Sequence, residues 1–353
     1  MGGDRKSEAP NNRQYVRFYG DEAAQEALRS SLGRPKSWPR TGAFAVALVQ
    51  DGGLATASVG APLEADYEIG SVSKGLTGFL YTDALHRGEL DSGTTLGDLL
   101  PLEGSESAGV SLESITRHAS GLPRLPASQA TFRRTVALWR RGANPYGETL
   151  EDLLAQARQT RLLSPKPRYS NFGFELLGHA IAAGARTTYR DLMAHRIAGP
   201  LGLHSLYAPS FPDELRQTAL RGRSRAGRIV EPWTGEALAP AGGWRASIQD
   251  MGILARALLQ GTAPGSAALN PVAQFAGPAA RIGIAWLSLD VKGRTVTWHN
   301  GATGGFRSWV GLDREAGTAV VLLSATASPL DRHGFRLLLN LPGRVDHRRN
   351  RKA

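Results

Sequence analysis

Two short apolar, β-prone blocks, "AFAVALVQ" and "LATASV", lie early in the chain and are joined by "DGG" at positions 51 to 53. Asp-Gly between two such runs predicts a β-hairpin. Before it, Asp21 to Leu32 reads as a helix. After it, Val72, Leu76, Phe79, Leu80 and Ala84 recur at spacings of three and four. That period predicts a helix starting near Ser71, with Gly88 as its stop. Gly75 and Gly78 lower its intrinsic propensity, so packing must sustain it.

From about 90 to 270 the period is helical, in "TLEDLLAQARQ", "NFGFELLGHAIAAG", "TYRDLMAHRIAG" and "SIQDMGILARALLQG". Loops rich in Pro and Gly separate these segments. After 280 the pattern returns to strands, "RIGIAWLSLD", "GRTVTWHNG", "FRSWVGLD" and "GTAVVLLSAT", and a last helix spans Pro329 to Asn340. Short turns between strands imply antiparallel pairing. The expected fold is therefore α+β. An antiparallel sheet of five or slightly more strands, drawn from both chain ends and flanked by the N- and C-terminal helices, sits beside a mostly helical lobe. The corresponding division is 21–75 with 275–342 for the sheet lobe and 76–274 for the helical lobe. Residues 1–20 are a disordered tail, and 343–353 a basic one. The cleft between lobes is the natural ligand site, and the loops of 120–165 and 205–245 are expected to select the substrate.

Composition narrows the function. The chain has 353 residues, 41% of them hydrophobic, enough for a sizeable core. No stretch approaches the roughly 18 to 20 apolar residues that cross a bilayer, and "MGGDRKSEAPNNRQ" has no apolar centre of a signal peptide. As written, the chain is expected to be soluble, with no membrane insertion and no export address. With no cysteine, disulfides, thiolate catalysis and cysteine metal sites are excluded. The net charge of +11 is mostly arginine, scattered along the chain and densest in the tail "RVDHRRNRKA". No nucleic-acid motif accompanies it, so nucleic acid is not an expected partner. No G-x-S-x-G elbow, H-E-x-x-H pair or G-x-x-x-x-G-K loop occurs.

Of the six lysines only Lys74 has a serine three positions before it, Ser71. On a helix, i and i+3 share a face. A serine in the first turn lies where unpaired N–H groups and the helix dipole favour an oxyanion. A desolvated amine one turn on can exchange a proton with it. Taken alone, a capping serine with a solvated lysine is the commoner arrangement, but this helix is apolar and must be buried. Further on, "RYSNFG" supplies Tyr169 and Asn171, a phenol that can act as a base beside an ammonium and an amide that can hold a carbonyl. The plain alternative is a turn with an Asn helix cap. "WHNGATGGF" supplies His299, Gly301 and the N–H of Ala302 at a strand end. Gly301 would let a ligand backbone lie along the strand edge, and the plain alternative is a hairpin turn.

Together, "SVSK", "YSN" and "HNG" resemble the ordered motifs of the serine β-lactamase and D-alanyl-D-alanine peptidase superfamily, class C-like branch. "ITRHASGLPRLP", "PAGGWRASIQDMGILARALL", "GIAW" and "HNGATGGFRSWVGLD" extend the likeness over roughly 40 to 340. The resemblance implies a β-lactamase/transpeptidase-like fold and a small-molecule or peptide substrate. Ser71 would be the nucleophile that forms an acyl-enzyme, Lys74 would share proton transfer, and Tyr169 would be general base and acid. Asn171 would bind a substrate amide, His299 and Gly301 would line the third wall, and the N–H groups of Ser71 and Ala302 would form the oxyanion hole. No metal or organic cofactor is implied. Family members use the loop of His118 to shape the cleft, so that histidine is expected to be structural.

His299 stands where most β-lactamases have lysine. An unperturbed histidine, with pKa ~6.5, is mostly neutral at pH 7, so capture of a carboxylate weakens unless Arg307 or Arg245 substitutes. The reading is a serine hydrolase of the peptidase or esterase type with slow or absent β-lactam turnover. Its alternatives are a β-lactamase proper and a non-catalytic peptide- or penicillin-binding relative. Family members mostly act outside the cytoplasmic membrane, which leaves the location of a chain with no export signal open, as are its oligomeric state and physiological substrate.

Overall fold

The computed structural model describes residues 17–32, 42–125, 129–275, 277 and 279–343. Residues 1–16 and 344–353, most of the two expected tails, lie outside the described residues. Phe18–Gly20, placed in the N-terminal tail by the sequence, form strand β1, which pairs with β3 (Gly53–Val59). Helix α1 (Glu22–Leu32) follows. The hairpin of β2 (Phe44–Gln50) and β3 turns at Asp51 and Gly52, both with positive φ. Gln50 pairs with Gly53, the two-residue turn that Asp-Gly favours. Strand β4 (Asp66–Glu68) leads into α2 (Val72–His86).

The middle of the chain is helical, as the period indicated. It contains α3 (Leu112–Thr116), α4 (Gln129–Arg141), α5 (Leu150–Gln159), α6 (Asn171–Gly184), α7 (Tyr189–Met193), α8 (Gly199–Leu201) and α9 (Ala239–Gly242). Within the span 120–165, α5 falls on "TLEDLLAQARQ" as the period indicated, and α4 is a helix that the sequence reading did not mark. Strand β5 (Arg245–Ser247) returns to pair with β4 as a separate two-stranded sheet, and α10 (Ile248–Gln260) follows. The terminal strands are β6 (Ala273–Gln274), β7 (Ala280–Ile282), β8 (Leu287–Val291), β9 (Arg294–Ala302), β10 (Arg307–Asp313) and β11 (Thr318–Ser324), and α11 (Asp331–Asn340) closes the chain.

The main sheet has nine strands in the order β1-β3-β2-β11-β10-β9-β8-β7-β6, every neighbour antiparallel. It exceeds the expected five because "RIGIAWLSLD" is not one strand and because short edge strands extend both sides. The chain breaks at Gly283–Trp286, where the Trp286 ring turns inward to stack on Phe79 with centroids 5.6 Å apart. The same indole occupies the face that Gly75 leaves bare, which explains a glycine inside α2.

One face of the sheet is covered by α1 and α11, which bury Ala24, Leu28 and Leu338 against Val46, Trp309 and Val320. The other face carries α2 and α10. Since α10 packs on β2, β3 and β11, and β6 is part of the sheet, residues 248–274 belong with the sheet rather than with the helical lobe. α2 therefore lies between the sheet and the helices α6 and α9, so its first turn opens at the seam between the two layers. Among the described residues no helix is long and apolar enough to cross a membrane.

Candidate active site

Ser71 is the residue before α2 and makes no side-chain cap hydrogen bond, so its hydroxyl is not spent on the helix. Lys74, one turn on, is 0% exposed. Its Nζ donates to Ser71 Oγ at 3.2 Å and to the carbonyl of Ala241 at 2.5 Å. It also faces the Tyr169 ring, 4.8 Å from the centroid. A capping serine with a solvated lysine is thus not what α2 holds. Tyr169 Oη reaches Ser71 Oγ at 2.5 Å. Ser71, Lys74 and Tyr169, spread over 98 residues, share one hydroxyl oxygen.

The Tyr169 loop is fixed from behind. His118, buried and at positive φ, lies 4.6 Å from the Tyr169 ring. Its Nδ1 accepts from Ser170 N–H at 3.3 Å, and its carbonyl accepts from Arg168 N–H at 2.7 Å. Burial, then the charges of Lys74 and His299, hold its imidazole well below the ordinary histidine range, so it stays neutral and can accept. Ser170, not Asn171, caps α6 through Gly173 N–H at 2.9 Å. That leaves the Asn171 amide free to turn into the cleft, where its Nδ2 donates to Tyr146 Oη at 2.8 Å.

The third motif enters edge-on. Ser308 Oγ donates to the Ile69 carbonyl at 2.6 Å and so ties the β9–β10 pair to the residues before α2. Gly70, at φ +51°, approaches β9 so closely that a Cβ there would lie 2.7 Å from Ala302 N. The backbone just before Ser71 therefore lies against the Ala302 N–H. Gly301 serves this contact rather than a ligand, since a Cβ on it would strike the Ile69 carbonyl and Ser308 Oγ.

His299 departs from expectation. Successive side chains of a strand face opposite ways, and His299 points into the protein at 4% exposure, its ring edge-on to Trp286 at 6.1 Å. Its Nδ1 lies 2.7 Å from the Asn300 carbonyl. Burial lowers its pKa to about 4, with Lys74 adding to the effect and the Asn300 contact opposing it. Asn300 and Ala302 line the cleft; His299 and Gly301 do not. Neither arginine suggested as a substitute cation is among the residues lining the cavity. Arg245 is fully buried between Asp66 and Glu68, at 2.5 and 3.1 Å. Arg307 bonds the carbonyls of Thr303 and Phe306, both at 2.8 Å. The cation in the cleft wall is Arg124, which lies over the Tyr169 ring at 5.6 Å.

Residues 37–341 match the family model described as Beta-lactamase. The chain belongs to the beta-lactamase family. This is a family of serine hydrolases whose fold the present chain shares. It is 28% identical over 169 residues to the D-alanyl-D-alanine-carboxypeptidase/endopeptidase AmpH of Escherichia coli K12, a match that covers 46% of this chain and 42% of AmpH. The aligned part is thus less than half the length of that relative. A class C beta lactamase from Rhodobacter sphaeroides superposes with TM-score 0.71 at 19% identity, over 90% of this chain and 97% of that one. A beta-lactamase/D-alanine carboxypeptidase from Pseudomonas syringae gives 0.75 at 15% identity, over 90% and 99%. At such identities the likeness shows the fold.

Around this beta-lactamase-family centre lies a cavity of about 430 Å³ that opens on Ser71 and Tyr169. Several of its walls escaped the sequence reading: Arg124, Tyr146, Glu148, Glu175 and Trp233. Tyr146 and Trp233 come from loops and meet with ring centroids 4.9 Å apart; nothing local in the sequence marks them. Glu175 did leave a signal, an acidic residue inside the apolar run "NFGFELLGHAIAAG".

Proposed function

We propose that this chain is a serine hydrolase that acts through an acyl-enzyme on amide or ester substrates, with D-Ala-D-Ala-type peptides and esters preferred to β-lactams. The observation that carries the reading is the shared contact of Ser71 Oγ with Tyr169 Oη at 2.5 Å and Lys74 Nζ at 3.2 Å. A hydroxyl held by a phenol and a buried amine has both a route for its proton and a reason to stay unpaired with its own helix.

In this mechanism Ser71 Oγ adds to the substrate carbonyl carbon while its proton passes to the Tyr169–Lys74 pair. The carbonyl oxygen takes the negative charge and rests on the N–H groups of Ser71 and Ala302. When the tetrahedral adduct collapses, the bond to the leaving amine or alkoxide breaks, and that group takes the proton from the pair. Water then adds to the acyl carbon, gives its proton to the same pair, and expels Ser71 Oγ, which recovers it. Asn171 orients a substrate amide. With His299 neutral and buried, the carboxylate of a peptide or a β-lactam falls to Arg124, a point that favours neutral esters over both.

The test is a panel of p-nitrophenyl butyrate, a D-Ala-D-Ala peptide and nitrocefin, run on wild type and Ser71→Ala, with a fluorophosphonate and intact-mass detection. The reading expects Ser71-dependent labelling and hydrolysis of the ester or peptide. Fast nitrocefin turnover would replace it with a β-lactamase proper. An unlabelled wild type would point to a non-catalytic binder.

A further inference from the structure

The cavity beside Ser71 has an acidic side with unsatisfied acceptors. Asn171 and Glu175 are four residues apart on α6 and so share a helix face. Both line the cavity. Asn171 has given its Nδ2 to Tyr146, and its Oδ1 is buried with no hydrogen-bond partner among the described residues. Glu175 is 5% exposed, and its Oε1 is likewise buried and unpartnered. An orphaned buried polar atom costs about 1–3 kcal/mol, so two such acceptors one helical turn apart on residues that line a cavity call for a donor that arrives from outside.

The surroundings decide which donor. Glu148 lines the same cavity and is paired with Arg134. Burial, then the charge of Glu148, pushes the Glu175 carboxyl up to about 8, while Lys74 draws it down. A cation placed here would relieve that conflict, which a neutral amide could do only in part. The Tyr146 and Trp233 rings add π-faces, which also favour a cation. Of the protein's own cations, Lys74 is committed to Ser71 and Ala241, while Arg124 lines the same cavity over the Tyr169 ring and makes no ion pair with Glu175 among the described residues. The cavity opens on Ser71, so a group held by Asn171 and Glu175 can belong to the part of a substrate that stays on Ser71 after the leaving group departs.

We propose that Asn171 and Glu175 form a subsite for a primary ammonium group on the acyl portion of the substrate, so that N-terminal aminoacyl amides and esters are preferred. The proposal rests on the reading that Ser71 is acylated. It gives Glu175 a specificity-determining place in the cavity wall.

Three S-benzyl thioesters separate the possibilities: those of D-alanine, N-acetyl-D-alanine and propionic acid. Thiol release is read with an aromatic disulfide reagent, to which a chain without cysteine contributes no background. Each kcat/KM is divided by the spontaneous hydrolysis rate of its compound. The expected result is a preference for the free amine of about tenfold or more over both others, equivalent to about 1.4 kcal/mol, falling below about threefold in Glu175→Gln. Equal or faster cleavage of the N-acetyl compound, equal cleavage of the propionyl compound, or a preference that survives in a folded Glu175→Gln overturns the subsite. If that variant does not fold, the wild-type ratios alone decide. Ser71-dependent hydrolysis of p-nitrophenyl butyrate shows that the parent reading stands, so with it in hand a lack of preference, or no cleavage of any thioester, counts against the subsite alone. No Ser71-dependent hydrolysis of any ester removes both.

Discussion

Lys74 Nζ lies 2.5 Å from the carbonyl oxygen of Ala241, 167 residues away in sequence. This bond fixes the amine of a fully buried lysine by a backbone acceptor from α9 and aims it at Ser71. α9 is itself held to α2, since Thr77 Oγ1 donates to the Pro240 carbonyl at 2.7 Å and contacts Tyr189 Oη at 2.6 Å. The helix that supplies nucleophile and amine is thereby locked to the turn that orients the amine. Lys74→Met, which keeps the volume and removes the charge, is expected to slow fluorophosphonate labelling of Ser71 by about two to four orders of magnitude, with the circular dichroism spectrum unchanged. Labelling at the wild-type rate would remove Lys74 from proton transfer.

Tyr169→Phe isolates one atom. The ring contacts with His118 and Lys74 remain, and only the Oη bond to Ser71 is lost. The expected drop in kcat/KM for an ester is about 10²- to 10⁴-fold, with the thermal midpoint within a few degrees of wild type. A loss below threefold would leave Lys74 as the sole base.

Arg124 is the described cation lining the cavity. Arg124→Gln is expected to lower kcat/KM for a peptide ending in a D-Ala carboxylate by about 10- to 100-fold, the equivalent of one charge-assisted hydrogen bond of about 1.5–3 kcal/mol. The loss for a neutral ester should be smaller, and equal losses would show that Arg124 only supports Tyr169.

Arg245 answers for stability rather than chemistry. Burial opposes its charge, yet Glu68 and Asp66 raise its pKa above the ordinary value, and burial in turn pushes Glu68 up despite the guanidinium. Glu68 Oε1 also accepts from the Trp233 N–H at 3.0 Å, so the cluster anchors a cavity wall. Arg245→Met leaves two buried carboxylates without their cation, with only neutral donors such as Thr218 Oγ1 on Asp66, and is expected to cost about 3–5 kcal/mol, read as a lower urea midpoint. A cost below about 1 kcal/mol would show that the carboxylates find another donor.

Two buried groups beside the site contribute to the pH dependence of stability in opposite directions. His299 is lowered in the folded state to about 4, so the unfolded chain takes up a proton first, and stability falls as pH drops from about 6.5 to about 4. Glu175 is raised to about 8. The unfolded carboxyl loses its proton near the ordinary ~4.5 while the folded one keeps it, so this group's contribution is full below about 4.5 and falls as pH rises toward 8. Thermal midpoints of wild type and Glu175→Gln from pH 5 to 8.5 should therefore diverge, the variant gaining on wild type as pH rises. Parallel curves would show that Glu175 is ionised throughout.

Much of this molecule could be read from its sequence. Asp51-Gly52 set a two-residue hairpin because few other pairs accept positive φ twice. The three- and four-residue apolar spacing of α2 and α6 set two helices with almost no polar face, and a lysine placed in the first of them had to find buried partners. "SVSK" and "YSN" named Ser71, Lys74, Tyr169 and Asn171, which meet at or border the cleft, while of the candidates drawn from "HNG" and its neighbour, His299, Gly301 and Ala302, only Ala302 lines it. What the chain could not tell locally was decided by packing over long separations. The face on which His299 lies depends on strand alternation and the register of β9 against β10, since a one-residue slip would exchange it with Asn300. The Ala241 carbonyl, the Tyr146 and Trp233 rings and the buried Arg245 come from segments with no periodicity of their own. Local pattern fixes which residues form an element, because it depends on backbone geometry over a few positions. Which carbonyl meets which amine depends on how finished elements fill space against one another, and only the tertiary structure holds that.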